Sequence, residues 1–255
     1  RNLDELVRRI RDLGIEDIAM TTNATALRPL AKRLVDAGLR RINVSLDSVD
    51  PDTFRTMTRG GDLTRVIAGI DAIRDAGIGV VKTNSVVVRS QNHTQLADIV
   101  DWAWDRDIVP RFIELMPLGE GAKLGANGVV SVAEMKQLLG ARLTTDDAQH
   151  RADRGPAGYV PAAHRPGKKV GFIGAVTENF CERCNRIRIT AKGDIRACLA
   201  SPKGLSLRDL MRDGHDDDAV LERIHDALFG KWGGHHFHMD GVDAHEHVNM
   251  SALGG

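Results

Sequence analysis

Apolar and polar positions follow one repeated pattern through the first half of the chain. A helix-like stretch ends at a glycine and leads into a run of β-forming residues at Leu13-Gly14-Ile15, Ala37-Gly38-Leu39 and Ala76-Gly77-Ile78. Glycine is common just after a helix because it adopts the left-handed backbone conformation at low cost. The pattern predicts helices over residues 3–13, 27–36, 51–57, 64–76 and 94–106, and strands over residues 18–22, 41–46, 79–88 and 109–114.

Alternating helices and strands with short connections predict an α/β fold, in which helices cover a parallel sheet. Both a (β/α) barrel and an open doubly wound sheet fit this pattern. The first predicted helix begins at Leu3, and four strands alone would leave a parallel sheet with an exposed edge. We therefore expect the chain to be a fragment of a longer protein.

The pattern changes after Glu114, and we predict two domains, residues 1–117 and residues 118–255. Residues 118–128 are rich in glycine, residues 132–139 predict a helix, and residues 144–167 show no clear period. Beyond them we predict a strand over residues 169–176 and a hairpin of residues 186–190 and 194–198 that turns at Lys192-Gly193. Two helices follow, over residues 206–212 and 217–229, so the second domain is α+β.

The amino-acid composition argues against two classes of function, nucleic-acid binding and membrane binding. Of the 255 residues, 42% are hydrophobic and 27% are charged, and 35 basic residues balance 35 acidic ones. Balanced charge creates no overall field that would attract nucleic acid or an anionic membrane. No segment reaches the roughly 20 apolar residues that a membrane-spanning helix needs. We expect a cytoplasmic protein that binds neither nucleic acid nor membrane.

The three cysteines of the chain lie close together in sequence, as Cys181, Cys184 and Cys198. An odd, clustered set suits metal ligation better than disulfide bonds. The spacing lets Cys181 and Cys184 reach one metal centre, and the predicted hairpin places Cys198 across from Ile187, near both. Two interpretations stay open: an iron-sulfur cluster with one iron free to bind substrate, or a Cys3His zinc site completed by His164 or a C-terminal histidine.

Three cationic side chains accompany these features. Arg186 and Arg188 are two residues apart on a predicted strand, so both leave the same face beside the cysteines. Paired guanidinium groups suit bidentate contacts with phosphate or with the edge of a nucleobase. Lys82 interrupts a largely apolar strand, and a buried ammonium needs a counter-anion that a polyphosphate would supply.

Several sequence runs together resemble one enzyme family. The run Phe180-Cys-Glu-Arg-Cys-Asn-Arg-Ile-Arg-Ile-Thr190, followed by Gly193 and Cys198, is similar to the C-terminal cluster motif of the GTP 3',8-cyclases, which are radical S-adenosylmethionine (SAM) enzymes. Further runs agree in the order of that family and span nearly the whole chain: Met20-Thr-Thr-Asn23, Leu39-Arg-Arg-Ile-Asn-Val-Ser-Leu-Asp47, Arg111-Phe-Ile-Glu-Leu-Met116 and Gly254-Gly255.

The resemblance implies a partial (β/α)6 radical-SAM barrel that lacks its first units, followed by an α+β region with a second [4Fe-4S] cluster. It implies a lyase that rearranges GTP to (8S)-3',8-cyclo-7,8-dihydroguanosine 5'-triphosphate in molybdenum cofactor biosynthesis. SAM and a first [4Fe-4S] cluster would generate the radical in the full-length protein. The second cluster, bound by Cys181, Cys184 and Cys198, would hold the guanine.

The resemblance also assigns individual residues to ligands. Thr21, Lys82, Arg186 and Arg188 match GTP contacts, with Ile187 contributing backbone. Ser45 and Met116 match SAM contacts, and Arg111 is expected to line the GTP cavity. The double-glycine tail reaches the active site in the family. The expected pathway partner is the cyclic pyranopterin monophosphate synthase, and the family tends to form homodimers; the sequence does not identify the reductant.

The chain departs from the family in three ways. The N-terminal Cys-x-x-x-Cys-x-x-Cys and Gly-Gly-Glu-Pro motifs are absent, and Ala24 stands where glycine commonly follows Thr-Thr-Asn. Without the first cluster we expect this polypeptide alone not to cleave SAM. The alternative is a non-catalytic, zinc-stabilised domain that binds a nucleotide or a partner. For the C-terminal histidines, a variable polar loop is favoured over a metal site: His235, His236, His238, His245 and His247.

Overall fold

A computed structural model describes residues 2–117, 120–124, 126–145, 155–178, 180–181, 184, 186–198 and 204–230 of the chain. The chain divides into two compact units. The first unit contains Arg1–Leu115 and Val129–Gly174, and the second contains Met116–Gly128 and Ala175–Gly255. None of the helices in the described ranges is both long and apolar enough to cross a lipid bilayer.

The first unit alternates helices with strands, as the sequence pattern predicts. Six strands form one sheet in the order β1-β2-β3-β4-β6-β5; all neighbours are parallel except β5 and β6, which are antiparallel. The strands are β1 (Ile18–Thr22), β2 (Leu39–Ser45), β3 (Val80–Val87), β4 (Val109–Glu114), β5 (Gly158–Pro161) and β6 (Lys169–Ile173). The helices are α1 (Leu3–Asp12), α2 (Ala31–Ala37), α3 (Pro51–Met57), α4 (Leu63–Asp75), α5 (Leu96–Trp104) and α7 (Val132–Leu139), with 3-10 turns at Arg28–Leu30, His93–Gln95 and Gly140–Arg142.

The two faces of this sheet differ in polarity. Residues that alternate along the strands, such as Ile42 and Val44 of β2 and Phe112 of β4, are buried against the helices. Full burial of one such side chain contributes about 1.5–3 kcal/mol, so this packing supplies much of the stability of the unit. The other face carries polar side chains, because successive residues of a strand point to opposite sides.

The boundary between the two units differs from the predicted one. We assigned everything after residue 117 to a second domain, yet β5 and β6 extend the sheet of the first unit. β5 was not predicted, because Tyr159 and Val160 are adjacent and both buried, so the strand lacks alternation. β6 was predicted as a strand, and its pairing with β4 could not be read from its own residues.

Ala24, where the resemblance implies a glycine, adopts a left-handed backbone with φ of 59°. Glycine takes this conformation without a steric penalty, whereas an L residue with a side chain is strained there. Ala24 is completely buried beside Gly69 of α4. The local geometry therefore explains why glycine is favoured at this position.

The second unit contains the hairpin that the sequence predicts. Strands β7 (Arg188–Ile189), β8 (Asp194–Arg196) and β9 (Leu205–Ser206) form an antiparallel sheet in that order. Helix α6 (Glu120–Leu124), a 3-10 turn at Ala126–Gly128, and helices α8 (Leu207–Arg212) and α9 (Asp217–Phe229) complete its described elements. The Asp216 side chain caps α9 by accepting the Ala219 N–H at 3.0 Å, as expected of an acidic helix start.

The hairpin register differs from the prediction by one residue. Arg188 pairs with Arg196 and Ile189 pairs with Ile195. Continued outward, this register places Cys198 opposite Arg186 rather than opposite Ile187. The prediction placed a two-residue turn at Lys192-Gly193, whereas three residues, 191–193, lie between Thr190 and Asp194, and the length of the turn sets the register.

Candidate functional site

The polar face of the first unit's sheet brings together side chains from distant parts of the sequence. Thr21, Asn43 and Lys82 are register partners on the adjacent strands β1, β2 and β3. One step further along the strands, Ser45, Asn84 and Arg111 form a second row across β2, β3 and β4. Four of the predicted site residues, Thr21, Ser45, Lys82 and Arg111, therefore lie on one face.

Hydrogen bonds join several of these side chains. The Arg111 guanidinium Nη2 donates to Asn43 Oδ1 at 2.8 Å, and Asn43 Nδ2 lies 3.4 Å from Thr21 Oγ1, at the long limit for such a bond. Arg111 is 9% exposed, so its charge acts in surroundings with little water. Asn43, which the sequence analysis passed over, orients both predicted GTP contacts.

Lys82 is half-buried, and its ammonium Nζ donates to the hydroxyl Oη of Tyr159 at 3.0 Å. The Lys82 ammonium also lies 5.2 Å from the centre of the Tyr159 ring, and the Lys169 ammonium lies 4.4 Å from it. Such distances allow cation–π attraction. Tyr159 belongs to β5, so missing that strand also hid this contact.

Asn84 is a second polar residue that the sequence analysis missed. Its Oδ1 is buried and accepts no hydrogen bond from any residue in the described part of the chain. A buried amide oxygen without a donor costs about 1–3 kcal/mol, which makes it a natural contact for a ligand. Asn84 follows Lys82 by two residues on one strand, so period-two alternation could have identified it.

Asp47 and Asn92 form hydrogen bonds at the carboxyl ends of β2 and β3. Asp47 Oδ1 accepts the Val86 N–H at 2.8 Å. The fully buried Asn92 donates to the backbone oxygens of Asp47 at 2.7 Å and Val86 at 2.9 Å, and it accepts the Val88 N–H at 2.8 Å. These bonds fix the loop that follows Ser45. Burial raises the pKa of Asp47 to about 6, and the hydrogen bond from Val86 opposes that rise.

Replacing Asp47 with asparagine is expected to stabilise the protein at pH 8 by about 2 kcal/mol. Partial exposure of the carboxylate to solvent keeps the gain below the full effect of the pKa shift. The raised pKa means that the folded state binds a proton more readily than the unfolded state. The free energy of unfolding therefore falls as pH rises from about 4 to about 6. It stays lower above pH 6, because the folded state disfavours the charged carboxylate. Asparagine keeps the acceptor for Val86 and carries no charge.

Urea unfolding of the Asp47→Asn variant at pH 4.5 and pH 8 measures this effect. Asp75→Asn, at an exposed position in the last turn of α4, is the matched control and should show no such gain. An equal effect of Asp47→Asn at both pH values would contradict the assignment of the gain to the Asp47 charge.

The second unit holds the cysteine motif. Cys181, Cys184 and Cys198 are half-buried, and the Cys184 N–H donates to the Cys181 carbonyl at 3.0 Å, so these two residues share one turn. Among the described residues, no three His, Cys, Asp or Glu side chains stand close enough to hold a single metal ion. The predicted convergence of the thiolates therefore stays a prediction.

Arg188 lies within electrostatic reach of the other motif residues. Burial is the larger cause that lowers the pKa of Arg188 below its ordinary value, and the positive charge of Arg186 lowers it further. Cys184 and Cys198 act in the opposite direction and raise this pKa. The Arg186 guanidinium lies 5.0 Å from the centre of the Phe180 ring. A desolvated arginine beside a second cation favours binding of an anion there.

The remaining predicted residues have these positions. Ile187 is half-buried and packs against the core of the second unit, and Met116, two residues after β4, is half-buried in the same unit. His164 belongs to the first unit, where it lines a cavity of about 220 Å³ with Trp104 and Arg142. The five C-terminal histidines and the Gly254-Gly255 tail lie outside the described residues.

Two family descriptions cover most of the chain. Residues 1–103 match the Radical SAM superfamily, and residues 108–237 match the family named Molybdenum Cofactor Synthesis C. The boundary between these matches falls near β4, in the first unit's sheet.

Curated relatives are similar over nearly the whole chain. A GTP 3',8-cyclase of Rhodopseudomonas palustris is 39% identical over 100% of this chain and 75% of its own length. Those of Pseudomonas entomophila and Brucella ovis are 40% and 36% identical over 97% and 99% of this chain, and over 75% and 73% of their own lengths. This chain therefore belongs to the GTP 3',8-cyclase family of the radical SAM superfamily.

Proposed function

We propose that the chain takes part in the radical-SAM cyclisation of GTP to (8S)-3',8-cyclo-7,8-dihydroguanosine 5'-triphosphate during molybdenum cofactor biosynthesis. Family membership supports the reaction class. The observation that carries the proposal for this chain is the polar sheet face, where the Lys82 ammonium contacts the Tyr159 hydroxyl and the Arg111 guanidinium contacts the Asn43 amide. Such a face suits a nucleotide that carries several negative charges.

In the first unit, we assign Thr21, Lys82 and Arg111 to GTP. The Lys82 ammonium and the Arg111 guanidinium would bind acidic oxygens, and the Thr21 hydroxyl can donate or accept. Ser45 is exposed at the last residue of β2, where its hydroxyl can reach a ligand, and we assign it to SAM. Met116 is assigned to SAM as well.

In the second unit, we assign Cys181, Cys184 and Cys198 to a [4Fe-4S] cluster. Three half-buried thiols in one unit, with two of them in one turn, are a donor set typical of iron-sulfur ligation. When bound, a cluster with three protein ligands supplies an iron with an open coordination position for a purine. Arg186, Arg188 and the Ile187 backbone are assigned to GTP beside it.

We propose that the cyclic pyranopterin monophosphate synthase receives the product and that the protein can form a homodimer. The relatives are named GTP 3',8-cyclases, which indicates GTP as the substrate of those proteins. Their similarity to this chain over almost its full length is the reason for extending the substrate to it.

Replacing Lys82 with methionine is expected to raise the Kd for GTP roughly 30-fold, because methionine keeps the length of the side chain but removes a charge-assisted hydrogen bond worth about 2 kcal/mol. Isothermal titration calorimetry on anaerobically reconstituted protein measures this change. Metal analysis of the same sample tests the cluster, for which iron and sulfide in equal amounts are expected.

Lys32→Met is the matched control, since Lys32 is exposed on α2 and pairs with Asp36 at 3.1 Å. Its Kd for GTP should equal that of the wild-type protein. Zinc in place of iron, or no measurable affinity of the wild-type protein for GTP, would reject the proposed function in favour of a zinc-stabilised binding domain.

A further inference from the structure

Tyr159 is the single tyrosine of the chain and lies on the polar face of the first unit's sheet. It occupies β5, an edge strand, directly across from Gly171 of β6. Only 3% of the residue is exposed. A tyrosine buried to this extent normally uses its hydroxyl in hydrogen bonds.

The hydroxyl of Tyr159 uses half of its hydrogen-bonding capacity. Its oxygen accepts from the Lys82 ammonium at 3.0 Å. A phenol also has one hydrogen to donate, and the hydrogen bonds of Tyr159 within the described part of the chain include no acceptor for it. Because an unused buried donor is costly, an acceptor brought by a ligand would be favoured at this position.

Gly171 provides the space that Tyr159 occupies. A Cβ atom at position 171 would lie 2.7 Å from Arg111 Cγ and 2.9 Å from Tyr159 Cε1. Real Cβ atoms do not approach carbon this closely. The absence of a side chain at Gly171 therefore lets the Arg111 chain and the Tyr159 ring lie side by side on the same face as Lys82.

The charges around Tyr159 indicate which acceptor suits its hydroxyl. The Lys82 ammonium is in contact with the hydroxyl, and the ammonium groups of Lys82 and Lys169 lie 5.2 Å and 4.4 Å from the ring centre. Two cations beside one donor favour an anionic oxygen over a neutral one. Phosphate oxygens are the anionic acceptors of GTP, whereas its sugar and base oxygens are neutral.

We propose that Tyr159 is a further substrate-binding residue. Its hydroxyl donates to a phosphate oxygen of GTP, and the same oxygen accepts a hydrogen bond from the Lys82 ammonium. This inference rests on the proposed function, because it needs GTP to bind this face. Tyr159 thereby acts twice: it holds the Lys82 ammonium in place and it contacts the substrate.

Tyr159→Phe removes the hydroxyl and keeps the ring that packs beside Gly171. Calorimetry on reconstituted protein should show a Kd for GTP roughly 10-fold higher than in the wild-type protein. Thr144→Val is the matched control, because the Thr144 hydroxyl is also buried and has no partner among the described residues. That control should bind GTP like the wild-type protein.

A second measurement does not depend on a substitution. Biosynthetic labelling with 3-fluorotyrosine gives one fluorine NMR resonance, because the chain has a single tyrosine. Saturating GTP should shift this resonance, and guanosine at the same concentration should leave it unchanged. A merely structural role of Tyr159 would produce no such dependence on phosphate.

The outcomes separate the two proposals. If the wild-type protein binds GTP, but Tyr159→Phe binds it equally well and the resonance does not move, the Tyr159 contact is wrong and the proposed function stands. An equal shift with guanosine would likewise reject the phosphate contact. If the wild-type protein does not bind GTP at all, both proposals fail.

Discussion

Replacing Cys198 with alanine is expected to remove the proposed iron-sulfur cluster from the second unit. Two thiolates, Cys181 and Cys184, would remain, and they cannot hold a [4Fe-4S] cube whose usual protein ligands number three or four. After anaerobic reconstitution, we expect the variant to lose most of its iron, its sulfide and its visible absorption. Iron and sulfide assays with absorption spectroscopy measure this.

The same substitution is expected to loosen the second unit. Its described core consists of three buried residues, Ile195, Leu207 and Ala227, with Ile187, Val220 and Ile224 packed against them. Burial of these side chains contributes several kcal/mol, which offsets only part of the entropy of ordering the chain around them. A bound metal centre stabilises such small units because ligand binding then contributes to folding.

Hydrogen exchange should therefore speed up in α9 of the Cys198→Ala variant and stay unchanged in the strands of the first unit. Ile189→Ala is the matched control: Ile189 lies on β7 in the same hairpin and is 63% exposed, so its loss should leave iron content and exchange unaltered. A Cys198→Ala protein with its full iron content would show that Cys198 is not a ligand.

Replacing Gly69 with alanine is expected to lower the free energy of unfolding by about 1–2 kcal/mol. A Cβ atom there would lie 2.4 Å from the Ala24 carbonyl oxygen and 3.2 Å from Leu27 Cβ. Alanine inside a helix normally gains about 0.5–1 kcal/mol over glycine, but overpacking against backbone costs about 1–3 kcal/mol. The clash therefore outweighs the gain, because backbone cannot rotate away as a flexible side chain can.

Urea unfolding followed by circular dichroism measures the loss. Gly155→Ala is the matched control, because no heavy atom of the described residues lies within 4 Å of a Cβ atom placed there. That variant should be as stable as the wild-type protein or slightly more stable. If the Gly69→Ala variant were as stable as the wild-type protein, α4 and the backbone around Ala24 could move apart without cost.

Local periodicity was sufficient for most elements of the first unit. The predicted bounds of β1, β4, α3 and α7 agree with the observed ones, and the other helices and strands of the repeated pattern differ by a few residues at their ends. Apolar side chains that must face a core recur at the period of the element, so the signal lies in the sequence itself. β5 lacked this signal and was missed.

The candidate site was predicted only in part. Thr21, Ser45, Lys82 and Arg111 share one sheet face, and their ligands stay proposals. Tyr159 lies outside the runs that carry the resemblance, and Asn43 lies inside one of them but was assigned no ligand. Their importance comes from their partners, and those partners are distant in sequence.

The sequence by itself determined the helix and strand segments, the polar alternation of β3 and the cysteine motif, because each depends on residues that are neighbours along the chain. Tertiary structure decided which strands pair and which side chains meet. The Lys82–Tyr159 contact joins residues 77 positions apart, and the Arg111–Asn43 contact joins residues 68 positions apart. Such contacts depend on strand order and register, which are set by packing of the whole sheet rather than by any local pattern.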